Sequence, residues 1–142
     1  MSNSDLFVDV RLVNDKVKFL GESSLQPGRE IAIDYVPPVG DGEGYLGLEL
    51  LLMSFAGCVS TALVALLRRM GLDPAGYRMN AVAVRRENPV MLEKIVARFT
   101  AGSGSIAPEA AQKAIDMAAK ISPVWLAIQN NVEVLLEYKA DL

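Results

Sequence analysis

The chain has 142 residues, 51% of them hydrophobic, a formal net charge of -3 and no histidine. Its size and apolar content predict one globular domain, residues 1–142, and its acidic balance argues against a nucleic-acid partner, which needs clustered cations. With no histidine and one cysteine, the chain lacks an imidazole base, a Cys-His couple, an ordinary zinc site and an intramolecular disulfide, so we expect no metal and no cofactor.

The first third of the chain predicts three strands. Polar and apolar residues alternate over residues 6–12, which is the period of a strand with one buried face. The turn at Asn14-Asp15 leads to a second strand over 16–20, and a third covers 29–36 before Pro37-Pro38. The first twenty residues show neither a basic leader nor a continuous apolar run, so we expect a cytoplasmic protein.

Residues 47–70 predict one long helix, closed by Arg68 and Arg69 with Gly71 beyond. The nearly continuous apolar run over 46–67 is long enough to cross a bilayer. Against a membrane span stand Glu49 inside the run and the neighbouring amphipathic strands, which need a surface to bury against. A helix that is apolar all round also suits a protein centre, and this chain is too small to surround it alone. We therefore expect no membrane and a homodimer that buries this helix.

The rest of the chain predicts a hairpin, two helices and a last strand. Strands over 79–87 and 92–100 are joined at Asn88-Pro89, and a helix follows from Pro108. A short helix runs from Pro123 to about residue 129, and residues 132–138 form the last strand. The order β-β-β-α-β-β-α-α-β predicts an α+β fold with largely antiparallel sheets.

Cys58 lies in the segment ELLLMSFAGCVST, residues 49–61. Helical spacing places apolar side chains such as Leu51 and Phe55 near the thiol, and a cysteine in such a stripe often serves only as a small hydrophobe. Activation of the thiol requires a cation or a helix N-terminus nearby. Because Cys58 is about three turns into its helix, an arginine from a strand or from a partner chain would have to supply the charge.

Ser122 precedes Pro123, and this pair is typical of a helix start. The serine hydroxyl is expected to accept a hydrogen bond from the backbone N–H of Trp125 or Leu126. This helix-capping role requires no catalytic function.

The segment 49–61, together with Ser-Pro-Val at 122–124, resembles the OsmC/Ohr family of osmotically induced and organic hydroperoxide resistance proteins. The resemblance implies an intertwined homodimer in which antiparallel sheets wrap around long central helices, with the active site at the interface. It also implies that Cys58 matches the peroxidatic cysteine, which attacks an organic hydroperoxide. Ser122 stands where the family has a resolving cysteine, and serine cannot form the disulfide.

Two further positions depart from the family pattern. The family glutamate falls at Leu48, while Glu49 lies nine residues before Cys58 and about half a turn away from it on the helix. A carboxylate in the first helical turn is the simpler role for Glu49. The family's Gly-Gly-Arg motif is missing, and Arg11 and Arg29 lie in the corresponding strands without a motif match. Arg29 and Glu49 are thus weak candidates for the site.

Two functions follow from these residues. In the first, Cys58 reduces organic hydroperoxides and an external thiol regenerates it. In the second, the protein is a non-enzymatic dimer that binds a small apolar ligand at its interface, and Cys58 serves for packing. An arginine guanidinium beside the Cys58 sulfur would favour the first.

Overall fold

The computed structural model describes residues 5–101 and 106–140. Their elements are listed in chain order: β1 (Val8–Leu12), β2 (Phe19–Ser23), β3 (Ile31–Ile33), α1 (Gly47–Arg69), β4 (Arg78–Arg86), β5 (Met91–Thr100), α2 (Pro108–Ile121), α3 (Pro123–Ile128) and β6 (Glu133–Tyr138). This order confirms the predicted α+β arrangement. The chain divides into two compact units, Met1–Leu50 and Leu51–Leu142, and the expectation of a single domain over residues 1–142 stays a prediction.

The first unit contains the antiparallel sheet β1-β2-β3. Strand β2 begins at Phe19, three residues later than predicted. The reason lies in the preceding turn, where the side-chain oxygen of Asn14 accepts hydrogen bonds from the N–H groups of Lys16 and Lys18, both at 3.0 Å. These bonds keep residues 16–18 in the turn, so β2 begins only at Phe19.

The loop after β3 is organised by Asp34, which is 3% exposed. Its carboxylate accepts hydrogen bonds from the N–H groups of Tyr35 at 2.7 Å, Asp41 at 3.2 Å and Glu43 at 3.0 Å. The bond from Glu43 is the largest cause that lowers the pKa of Asp34, and together with the other two it outweighs the opposing effect of desolvation. Gly40 packs so closely that a Cβ atom there would overlap Asp34 and the main chain of Tyr35.

The second unit contains the sheet β4-β5-β6. Strands β4 and β5 form the predicted antiparallel hairpin, whereas β6 pairs parallel with β5, from Lys94 opposite Glu133 to Phe99 opposite Tyr138. The sheets are largely antiparallel, as predicted, and β5-β6 is the parallel pair among the described strands. Helices α2 and α3 carry the chain back across the sheet before β6, so β6 enters from the same end as β5.

The core of the second unit lies between the helices and one face of this sheet. Helix α1 contributes a buried stripe at helical spacing, which consists of Phe55, Val59, Leu63, Leu66 and Leu67. The same core cluster includes Ile95, Ala97 and Phe99 of β5 and Ala111, Ala114, Ile115 and Ala118 of α2. The inward alternation of β5 and the stripes of the two helices therefore form one apolar core.

Helix α1 also has a face that the described residues of its own chain leave exposed. Met53 is 47% exposed, and Gly57, Thr61 and Ala65 are exposed at the same helical spacing. By length and composition α1 could cross a membrane, and 28% of its most apolar stretch is buried within the chain. A single such helix is weak evidence for a membrane span, because core helices of soluble proteins have the same composition.

Candidate functional site

Cys58 is partly exposed on α1, next to the buried side chain of Val59. It thus lies beside the core stripe of α1 and not within it. No described residue of its own unit hydrogen-bonds to the thiol. In residues 5–101 and 106–140, no three His, Cys, Asp or Glu side chains are grouped so as to hold a metal ion. The chemistry that this position offers is that of a single accessible thiol.

Ser122 joins α2 to α3 and is 1% exposed. The predicted side-chain cap is wrong, since the Ser122 hydroxyl has no hydrogen-bond partner among the described residues. The main chain satisfies this helix start instead: the carbonyl oxygen of Ser122 accepts from the N–H of Leu126 at 2.9 Å, and Pro123 has no N–H to satisfy. The position that the resemblance assigns to a resolving cysteine therefore holds a buried hydroxyl without a hydrogen-bond partner among the described residues.

An aromatic contact connects α1, which carries the segment 49–61, with α3, which begins at Pro123. The rings of Phe55 and Trp125 meet edge to face, with centroids 5.6 Å apart and an interplanar angle of 65°. Phe55 precedes Cys58 by three positions, or about one helical turn, and Trp125 follows Ser122 by three. The structure thus brings α1 and α3 together near the two positions that the resemblance pairs.

Glu49 occupies the first turn of α1. One oxygen of its carboxylate accepts a hydrogen bond from the backbone N–H of Leu46 at 2.9 Å. This is the reciprocal half of a capping box, in which an acidic residue at the third helical position satisfies the N–H of the cap residue. The structure gives Glu49 the first-turn role that the sequence favoured over a catalytic one.

The two candidate arginines lie in the first unit. The guanidinium of Arg11 pairs with the carboxylate of Glu30 at 2.9 Å. Arg29 borders an apolar depression of about 500 Å³ on the sheet β1-β2-β3, and Gly21 is also part of its lining. Neither placement within this unit gives an arginine a catalytic contact.

A hydrogen bond between a hydroxyl of α1 and a tyrosine just before β4 was not predicted from the sequence. The hydroxyl of Tyr77 donates to the Ser60 oxygen at 2.8 Å, and Ser60 contacts the Met79 sulfur at 3.8 Å. Burial raises the pKa of Tyr77 to about 12. These residues are 17 and 19 positions from Ser60, a separation that carries no local sequence signal, and they anchor α1 beside the start of β4.

The fold is shared with solved OsmC-like structures. An OsmC-like protein from Mycoplasma pneumoniae is 17% identical, with a TM-score of 0.81 over 97% of this chain and 98% of its own. An OsmC-like protein of unknown function from Vibrio cholerae is 15% identical, with a TM-score of 0.82 over 96% and 99%. An organic hydroperoxide resistance protein from Bacillus subtilis is 16% identical, with a TM-score of 0.71 over 97% and 100%. These likenesses confirm the predicted OsmC-like fold.

The family follows from the sequence itself. No curated protein is similar enough to the chain to count as a match. The family model described as OsmC-like protein matches residues 40–137, which span the segment around Cys58, the position of Ser122 and most of β6. The chain therefore belongs to the OsmC-like protein family.

Proposed function

We propose that the protein reduces organic hydroperoxides through Cys58 and that an external thiol regenerates the enzyme. The observation that carries this proposal is the partial exposure of Cys58 on α1, within the segment that resembles the peroxidatic motif. A thiol used only for packing is expected inside the buried stripe. The membership of the chain in the OsmC-like family supports the same reaction class.

The reaction has three balanced steps. The Cys58 thiolate attacks the distal oxygen of the hydroperoxide, the O–O bond breaks, and the alkoxide takes a proton and leaves as the alcohol. Cys58 is then a sulfenic acid, which an external thiol converts to a mixed disulfide with release of water. A second external thiol attacks the outer sulfur of that mixed disulfide, so that the two reductant thiols leave as their own disulfide and Cys58 is restored as a thiol. Ser122 has no sulfur, so no internal disulfide forms.

The active assembly is proposed to be a soluble cytoplasmic homodimer. The exposed face of α1, with Met53, Gly57, Thr61 and Ala65, is mostly small or apolar and supports burial by a second copy of the chain. Removal of such an apolar face from water stabilises the assembly that buries it. A second chain would also be a source of the cation that Cys58 lacks within its own unit.

The test is chemical trapping on the intact protein. One equivalent of cumene hydroperoxide in the presence of dimedone is expected to add one dimedone to the native chain, as measured by intact mass spectrometry. The Cys58→Ser variant is the control and should stay unlabelled. Turnover of the hydroperoxide should require added thiol. A native chain that stays unmodified, while the reduced, unfolded chain reacts with a thiol alkylating reagent, would rule out the enzymatic function.

The depression on the first sheet favours a second candidate function, the binding of a small apolar molecule without catalysis. A Cβ atom added at Gly21 would lie 3.7 to 3.9 Å from side-chain carbon atoms of Val10, Ile31 and Ile33, so the glycine leaves room for such an atom among them. An apolar fluorescent dye should bind there, and Gly21→Val, which fills the space, should weaken binding. Cys58→Ala should leave dye binding unchanged, which separates this function from the thiol chemistry. Equal dye binding by Gly21→Val would exclude this site.

A further inference from the structure

The sheet β4-β5-β6 has an outer face opposite the one that packs on the helices. Ile95, Ala97 and Phe99 of β5 point into the core, so Val96, Arg98 and Thr100 alternate to the outer side. A cavity of about 390 Å³ lies on this side, and its lining consists of Arg78, Asn80, Val82, Val96, Arg98, Thr100 and Lys139. This cavity is separate from the positions of Cys58 and Ser122, neither of which lines it.

One end of the cavity is basic. Arg78 lies opposite Thr100 in the sheet register, and Lys139 extends the ladder beside them, because its N–H donates to the carbonyl of Phe99 at 2.9 Å. The side chains of Arg78 and Lys139 form no ion pair with a described residue. Two free cations therefore flank a threonine hydroxyl, although the whole chain has a net charge of -3.

Arg78, Thr100 and Lys139, the residue after β6, form one row across the sheet. The next row along the strands adds a third cation and one carboxylate. Arg98 lies opposite Asn80 on β4 and opposite Glu137 on β6. The Arg98 Nε atom pairs with a Glu137 oxygen at 2.5 Å, and both side chains are more than half exposed. Glu137 offsets one charge, so the two rows keep an excess of two positive charges. The Asn80 amide adds a hydrogen-bond donor next to them.

The following row is apolar. Val82 lies opposite Val96, and Val96 lies opposite Leu135 on β6. Val82 is 59% exposed and Leu135 is 47% exposed, so the row forms an open apolar strip. It lies four residues along β4 from Arg78, a distance of about 13 Å. The cavity is thus basic at one end and apolar at the other.

We propose that this outer face binds an amphiphilic carboxylate, a molecule with one anionic head and a medium-length acyl tail. The head is held by Arg78 and Lys139, with Arg98 and the neutral donors beside them, because a guanidinium and an ammonium together match a carboxylate. The tail lies along Val82, Val96 and Leu135. The cavity volume is in the usual range for small ligands, and its spread of charge fits one anionic head better than a uniformly charged polymer.

The experiment is calorimetric titration of the full-length protein with decanoate at low ionic strength, where electrostatic contacts are least screened. Decanol supplies the same tail without the charge, and acetate supplies the head without the tail, so both should bind more weakly than decanoate. Arg78→Gln and Lys139→Gln should each weaken decanoate binding by about threefold, the size expected for an exposed ion pair. Lys113→Gln removes one exposed cation from α2 and should leave the affinity unchanged. Val82→Ser should weaken decanoate without changing the binding of acetate.

Several outcomes would overturn the proposal. These are no decanoate binding, equal binding of decanol, or unchanged affinity in the Arg78→Gln and Lys139→Gln variants that keep the wild-type unfolding transition. Binding to vesicles of anionic phospholipid with no binding of monomeric decanoate would assign the face to a membrane surface instead. A smaller particle for Val82→Lys in sedimentation would assign it to a contact between copies of the chain. The site is tested by binding alone, so its failure leaves the proposed reaction at Cys58 intact.

Discussion

Phe55 and Trp125 meet edge to face at a centroid distance of 5.6 Å, and this contact ties the helix of Cys58 to the helix that begins after Ser122. The contact is buried on the Phe55 side, which is 0% exposed. Edge-to-face pairs of this kind contribute about 1 kcal/mol beyond the area that they bury. Two sequence motifs more than sixty residues apart are thereby held in the same part of the second unit.

The Ser122→Cys variant is expected to form a disulfide with Cys58 on oxidation. The helix contact supports this outcome, and a buried cysteine replaces serine with little change in volume. Intact mass spectrometry without reduction should show the loss of two hydrogens and no dimedone adduct. The variant should also turn over faster than wild type with a dithiol reductant. Ser122→Cys in the Cys58→Ala background is the control, and a persistent dimedone adduct on Ser122→Cys would contradict the pairing.

Ser122→Ala is expected to leave the free energy of unfolding unchanged or to raise it by up to about 1 kcal/mol, because it removes a buried hydroxyl to which no residue in the described part of the chain hydrogen-bonds. Ser60→Ala is the matched comparison. It should destabilise by about 1 kcal/mol, since it leaves the partly buried Tyr77 hydroxyl without its acceptor. Urea unfolding measures both. A loss of about 1 kcal/mol in Ser122→Ala would restore the capping role.

The carboxylate of Asp34 should make the free energy of unfolding depend on pH in the acidic range. Its pKa is lowered in the folded protein, so the folded state prefers the charged form. The stabilisation is present above the ordinary pKa of 3.8 and is lost as pH falls through the lower folded value. Asp34→Asn should lower stability at pH 7 and flatten its acid dependence. Asp15→Asn removes the same charge from an exposed turn. If both variants gave the same pH profile, Asp34 would not be the group responsible.

The open face of α1 leads to a prediction about assembly. Analytical ultracentrifugation at low micromolar concentration should show a dimer. Ala65→Arg places a large charged side chain on this face and should shift the protein to monomer, because burial of an unpaired charge is costly. Met117→Arg on α2 adds the same group elsewhere and should stay dimeric. A wild-type protein found only as monomer would exclude the dimer.

The sequence by itself determined the order of elements and the identity of the single thiol. Period-two alternation, the apolar run over 46–67 and the breaks at proline and glycine are local signals, and local signals decide which segments become strands or helices. The prediction missed the parallel pairing of β6, because the end of the sheet at which a strand enters depends on how the preceding helices cross it. The late start of β2 depended on hydrogen bonds that the Asn14 side chain accepts from the N–H groups of Lys16 and Lys18, which compete with strand formation.

The candidate site was likewise predicted in part from the sequence and decided in part only by the tertiary structure. Helical spacing along α1 was enough to put Glu49 on a different side of the helix from Cys58. In the structure, the Glu49 carboxylate accepts a hydrogen bond from the N–H of Leu46. Only the tertiary structure decided that the Ser122 hydroxyl is buried and unpaired, since a capping signal in sequence does not show what the main chain already satisfies. The pairing of Tyr77 with Ser60 and the basic outer row at Arg78 also join residues far apart in sequence. Such contacts are set by sheet register and helix packing, for which no single segment of the chain carries the information.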